Sequence, residues 1–133
     1  MDRKKLSDDI LMKANEFTNW GFSMQMHEGA YLIGTSMDNE ASGMKMHVVF
    51  DISEQGVAMS VFIPGCKYDE VKAAMIFQGL EFPVAVSGKS GQLFIARSNI
   101  AFDIMEKETD KFVEGLVLSV ISMVKAMTDV VSK

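Results

Sequence analysis

The chain has 133 residues, 48% hydrophobic and 23% charged, which fits a single folded domain over residues 1–133. A net charge of −5 without a basic stripe argues against nucleic-acid binding, and the one cysteine, Cys66, excludes an internal disulfide. The charged N-terminus and the lack of a long apolar stretch predict neither a secretory signal nor a membrane span, so we expect a cytoplasmic protein.

The first half of the chain predicts one helix followed by a run of strands. The apolar residues at helical spacing are Leu6, Ile10, Ala14 and Phe17. Gly21 can end this helix in the left-handed conformation. Alternating apolar and polar residues then predict four strands, over residues 22–26, 31–37, 44–52 and 57–63.

A second helix is predicted over residues 68–80. Val71, Met75 and Leu80 are expected to face the core. Pro83 cannot continue this helix, because proline has no backbone N–H to donate.

A hairpin follows, with strands expected over residues 84–87 and 92–98. Residues 99–107 leave two alternatives open: an extension of the last strand, or an early start to the final helix with Asp103 as its cap. The order helix, four strands, helix, two strands, helix predicts an α+β fold in which helices pack on one face of an antiparallel sheet.

The closing helix, expected over residues 108–132, is the most informative segment. Its apolar residues cover about half of the helix circumference, where a stripe of little more than about 100° suffices for a helix on one core. We therefore expect part of this helix to pack on another chain, in a homodimer or with a protein partner. The predicted interface residues are Val117, Leu118, Ile121 and Val124.

Several short patterns occur in the order of a known family. The first helix ends at Trp20-Gly21-Phe22. A hairpin follows, with Val48-Val49-Phe50-Asp51 and then Gly56-Val57-Ala58-Met59, and its second strand leaves through Pro64. Gly91-Gln92-Leu93-Phe94-Ile95 precedes the last helix. In these patterns the chain resembles the YbjN-like domain family, whose fold is similar to that of type III secretion chaperones.

This resemblance covers nearly the whole chain and implies a helix–β-meander–helix–β-hairpin–helix fold. It also implies a non-enzymatic role in bacteria, either as a chaperone-like homodimer that binds a protein partner or as a regulator. Roadblock-like and profilin-like folds, which also combine helices with one sheet, stay open as alternatives.

A repeated M-x-M-H pattern offers another function. Its two copies contain the methionines Met24, Met26, Met44 and Met46. Thioether and imidazole groups suit soft cations such as Cu(I) or Ag(I). On a regular strand each histidine points away from the two methionines before it, so core packing is the favoured interpretation. A small-ligand carrier with a cavity lined by Met and Phe is a further alternative.

Catalysis and cofactor binding are not expected. The chain has two histidines, and neither lies beside a recognisable nucleophile and orienting group. Cys66 sits in a predicted loop without metal-ligand neighbours, and Arg97 is expected to face the solvent or to block a sheet edge.

Overall fold

The computed structural model describes residues 2–102 and 109–133, with the backbone alone at residues 109 and 110. The helices of this part are α1 (Arg3–Phe17), α2 (Glu70–Gln78) and α3 (Thr109–Val130). The strands are β1 (Ser23–His27), β2 (Ala30–Asn39), β3 (Met44–Ile52), β4 (Gly56–Pro64), β5 (Lys67–Tyr68), β6 (Ala85–Lys89), β7 (Leu93–Ala101) and β8 (Val131–Ser132).

Six strands form one antiparallel sheet in the order β1-β2-β3-β4-β7-β6. Strands β1 to β4 make a meander, and β7 joins the hairpin β6–β7 to the free side of β4. The turn between β1 and β2 has positive φ at Glu28 (50°) and Gly29 (81°). A two-residue turn with this backbone matches the twist of the strands that it connects. The edges of the sheet are therefore β1 and β6.

The helices pack on one face of this sheet and enclose the core. Helix α3 lies over β4, with α1 on one side of it over β2 and α2 on the other side beside β6. The largest fully buried side chains of the sheet include Ile33, Val48, Phe50, Met59, Ile63 and Phe94. Within residues 2–102 and 109–133, no helix lies on the opposite face of the sheet, where exposed side chains such as Ser36 and Arg97 are found.

The α+β class and the order of the main elements are confirmed. Strand β7 continues to Ala101, so the strand extension holds for the first residues of the ambiguous segment. Asp103, the alternative helix cap, and the predicted helix start at residue 108 lie outside the described residues. The pair formed by β5 and β8 was not predicted, because two-residue strands carry no alternation to read.

The structure corrects the reason for expecting a partner on α3. One small sheet alone would leave part of this helix uncovered. In the fold, α3 also packs against α1 and α2, which bury a broad arc of its surface within a single chain. The buried residues of α3 are Val113, Leu116, Val117, Val120, Met123, Val124, Ala126, Met127 and Val130.

Among the described residues, no helix combines the length and the apolar character needed to cross a lipid bilayer.

Candidate partner-binding surface

Aromatic packing fixes how α2 sits beside the sheet. Tyr68, just before the helix, stacks on Phe94 of β7 with ring centroids 4.1 Å apart and planes at 10°. Phe77, at the other end of the helix, meets the same ring edge-on at 5.9 Å. The side chain of Asp69 caps the helix by accepting a hydrogen bond from the backbone N–H of Lys72 at 3.0 Å. Anchors at both ends therefore decide which face of α2 meets the core.

The outward face of α2 carries two large apolar side chains. Val71 is 72% exposed and Met75 is 70% exposed, whereas Ala73 and Phe77 are buried. The prediction that Val71 and Met75 face the core is therefore wrong. In each pair the two residues are four positions apart, so both pairs satisfy helical spacing. The pair with Phe77 is buried because its aromatic ring removes more apolar area from water than Met75 would.

An open groove continues this exposed face beyond the end of α2. Gln78 lies three residues after Met75, on the same side of the helix, and lines a groove of about 700 Å³. The walls of the groove are partly apolar and partly polar, and they include two charged groups. Its lining includes Leu80, Glu81, Phe82, Val84 and Arg97. We refer to the exposed residues Val71, Ala74, Met75 and Gln78 as the α2 surface.

The four residues predicted as an interface on α3 differ in how exposed they are to solvent. Val117 and Val124 are 1% and 8% exposed and belong to the core of the single chain. Ile121 is partly buried and lines a small hollow beside Trp20. Leu118 is 48% exposed. Helix α3 therefore offers a partner Leu118 and part of Ile121, while the two valines stabilise the fold from within.

The methionines of the M-x-M-H pattern lie on two strands that are not neighbours. Strand β1 carries Met24 and Met26, strand β3 carries Met44 and Met46, and β2 lies between them. Across β2, Met24 lies level with Phe50. Since Met46 is four residues from Phe50, its Cα is about 16 Å from that of Met24, from ordinary strand spacing and rise. The sheet does not bring the four thioethers into one site.

Core packing accounts for half of these methionines. Met46 is buried, and Met24 is partly buried against the core, as predicted. Met26 and Met44 are 63% and 44% exposed, which corrects the expectation that both pairs fill the core. Both lie at strand ends, where the helix layer gives less cover. Within residues 2–102 and 109–133, no cluster of three His, Cys, Asp or Glu side chains could hold a metal ion.

The face of the sheet without helices bears a Ser–His contact. Ser36 on β2 and His47 on β3 are direct partners in register, with Ser36 Oγ 2.7 Å from His47 Nδ1. The His47 ring stacks on Phe62 of β4 at 4.9 Å. In the described part of the chain, no carboxylate forms a hydrogen bond with the other ring nitrogen. A serine–histidine nucleophile needs such an orienting group, so this is a cross-strand structural pair.

Cys66 and Arg97 have structural settings of their own. The Cys66 thiol is buried, and burial raises its pKa because the thiolate loses hydration. Arg97 is exposed and donates through Nε to Asn99 Oδ1 at 3.3 Å. Strand β7 lies between β4 and β6, so Arg97 does not block a sheet edge.

The Met- and Phe-rich interior is filled by its own side chains. Phe50, Met59, Met123 and Met127 are each fully buried, and they pack in one continuous core cluster. The groove beside α2 and the hollow next to Trp20 open to solvent. This packing gives the ligand-carrier alternative no support.

Comparisons with known proteins give no direct relative. No protein-family model matches the sequence, and neither a curated protein nor a solved structure matches it.

Proposed function

We propose that this chain is a non-enzymatic protein-binding module, chaperone-like or regulatory, that acts in the cytoplasm as a homodimer. The observation that carries the proposal is the exposure of Val71 and Met75 on a helix whose inward face is already anchored by Phe77. Two large apolar side chains lie next to each other in water here, and a partner that covers them lowers the free energy of the system.

The α2 surface has the composition of a binding patch. Burying Val71 and Met75 would contribute about 1.5–3 kcal/mol each. Exposed Glu70 and Lys72 flank them and supply the polar rim that protein interfaces usually have. Met75 is unbranched and polarizable, so it can adapt to more than one partner surface.

The adjoining groove supports an extended partner segment. Its walls include Phe82 and Val84, and Arg97 with Glu81 adds charge of both signs at the rim. A segment with one or two apolar anchors and flanking polar groups would contact α2 and then enter this groove. The homodimer is part of the proposal through the resemblance to YbjN-like domains.

Affinity capture from the native host tests this function with matched baits. We expect the wild-type chain to retain a heterologous protein that the double variant Val71→Glu, Met75→Glu loses, because two carboxylates replace the apolar contact. Lys125→Glu is the control, since Lys125 is also exposed on a helix but lies on α3. Equal capture by all three baits would contradict a role for the α2 surface.

A further inference from the structure

The two edges of the sheet differ in how they are protected. Strand β6 ends at Lys89, has Gly88 with a φ of 128° beside it, and begins shortly after Pro83. Charged residues, proline and irregular backbone are the usual means of stopping an edge strand from pairing with another chain. Strand β1 has the sequence Ser-Met-Gln-Met-His, without Asp, Glu, Lys, Arg or Pro. It presents a regular, uncharged edge.

The register of the hairpin shows which backbone groups of β1 point outward. His27 and Ala30 flank the two-residue turn and form the first pair of the ladder. In such a turn the carbonyl of His27 accepts from the N–H of Ala30, so His27 directs its backbone groups toward β2. Bonded and non-bonded pairs alternate along an antiparallel ladder. Met24 and Met26 therefore direct their N–H and C=O groups away from the sheet.

Along this edge the outward backbone groups of Phe22 have side-chain partners, whereas in the described structure those of Met24 and Met26 have none. Phe22, two residues before Met24, also directs its backbone groups outward. The amide of Asn15 satisfies both of them: Oδ1 accepts from the Phe22 N–H at 2.8 Å, and Nδ2 donates to the Phe22 carbonyl at 3.0 Å. In the described part of the structure, no side chain bonds the outward groups of Met24 or Met26. The open edge is the segment from Met24 to Met26.

We propose that β1 pairs antiparallel with β1 of a second copy of this chain, about a two-fold axis at Gln25. The strand reads almost the same in both directions about this residue, so each Met24 lies opposite the other copy's Met26. These are the residues with free outward groups, and four backbone hydrogen bonds form across the axis. The two Gln25 side chains meet on the helix-free face. A two-fold contact requires such self-complementarity.

Exposed apolar groups on α1 extend the contact on the other face. Asn15 reaches over the edge of β1, and Leu11 and Met12 lie four and three residues before it, on the same side of α1. Met12 is exposed, and Met26 of β1 is exposed as well. In the paired arrangement these thioethers and their two-fold mates cover one another. The contact brings no Asp, Glu, Lys or Arg side chains of the two β1 strands against each other.

This inference rests on the homodimer in the proposed function and locates its interface. Sedimentation velocity across a concentration series tests it with Gln25→Lys and Gln25→Glu. Each places two like charges face to face at the axis, and we expect each to raise the dimer dissociation constant at least about tenfold. An equimolar mixture of the two variants should dimerise again, because the lysine of one copy then faces the glutamate of the other. Ser87→Lys, at an exposed position on β6, is the control and should dimerise as wild type does.

A disulfide test fixes the register. In a non-hydrogen-bonded antiparallel pair the Cβ atoms are about 5 Å apart, close to the span of a disulfide, so oxidised Gln25→Cys should form a covalent dimer and Ser87→Cys should not. A dimer that survives both Gln25 charge variants and fails to cross-link would overturn the β1 interface and leave the proposed homodimer standing. A wild-type chain that stays monomeric at about 100 μM would overturn both, since it would place the dissociation constant far above that value.

Discussion

The side-chain amide of Asn15 holds both backbone groups of Phe22, accepting from its N–H at 2.8 Å and donating to its carbonyl at 3.0 Å. This pair of bonds joins the last turn of α1 to the start of β1. It substitutes for a missing neighbouring strand at that point of the sheet. The part of this sheet edge whose outward backbone groups are bonded by a side chain therefore ends at Phe22.

Removing the Asn15 amide should destabilise the fold. For Asn15→Ala we expect a loss of about 1–2 kcal/mol in the free energy of unfolding, because two hydrogen bonds are exchanged for water. Urea denaturation followed by circular dichroism measures it. Asn15→Asp keeps an acceptor for the Phe22 N–H and should lose less. An unchanged unfolding midpoint in Asn15→Ala would contradict the capping role.

The orientation of α2 predicts a contrast between two of its residues. Phe77→Ala should cost about 3–5 kcal/mol of stability, since it leaves a cavity beside Phe94. Met75→Ser should change stability by less than about 0.5 kcal/mol, because the side chain is already in water. Denaturant midpoints of the two variants decide the matter. Comparable losses in both would mean that Met75 faces the core after all.

Substitutions on α3 should likewise distinguish a buried residue from an exposed one by their effect on stability. We expect Val124→Ala to lower the free energy of unfolding by about 2 kcal/mol, from the lost apolar burial and the cavity left behind. Leu118→Ser should leave stability nearly unchanged, as exposed positions usually do. Thermal unfolding of both variants beside the wild type tests this assignment. A large loss in Leu118→Ser would show that a second chain covers Leu118.

Because Cys66 is buried, the free energy of unfolding should depend on pH in the alkaline range. Desolvation raises the pKa of this thiol in the folded state above the pKa of an unfolded cysteine. The unfolded chain therefore releases its proton first, and stability falls as the pH rises above the unfolded pKa. The pKa of Tyr68 is raised too, by burial first and by Glu70 next, which adds a decline at still higher pH.

Denaturation at several alkaline pH values measures this decline, with Cys66→Ala as the matched variant. We expect the variant to lose the earlier part of the decline and to keep the part due to Tyr68. Folded wild type should also react slowly with a thiol reagent, because the sulfur is buried and protonated. Fast modification of the folded chain would contradict this account.

Regular alternation made the sheet predictable. In β3 the buried residues Val48, Phe50 and Ile52 alternate with less buried ones, and a pattern of period two has one interpretation once the strand is recognised. In α3 the helical period did not separate the two sides in this way, because Val117 and Val124, predicted at an interface, belong to the core.

The orientation of α2 could not be predicted from spacing alone. Two apolar pairs on this short helix, one with Met75 and one with Phe77, satisfy the same period. Contacts with Phe94, seventeen residues beyond Phe77, decide between them. The exposed α2 surface was missed for that reason. The greater aromatic area of Phe77 was the one sequence signal that could have indicated it.

Covalent capture at Met75 tests the central claim most directly. A photo-crosslinking amino acid at position 75 of the full chain, activated in the native host, should give a discrete adduct with another protein. The same group at Lys125, an exposed position on α3, should not give that adduct. A protein binder that uses the α2 surface predicts this difference. No adduct at position 75, or the same adducts at both positions, would contradict it.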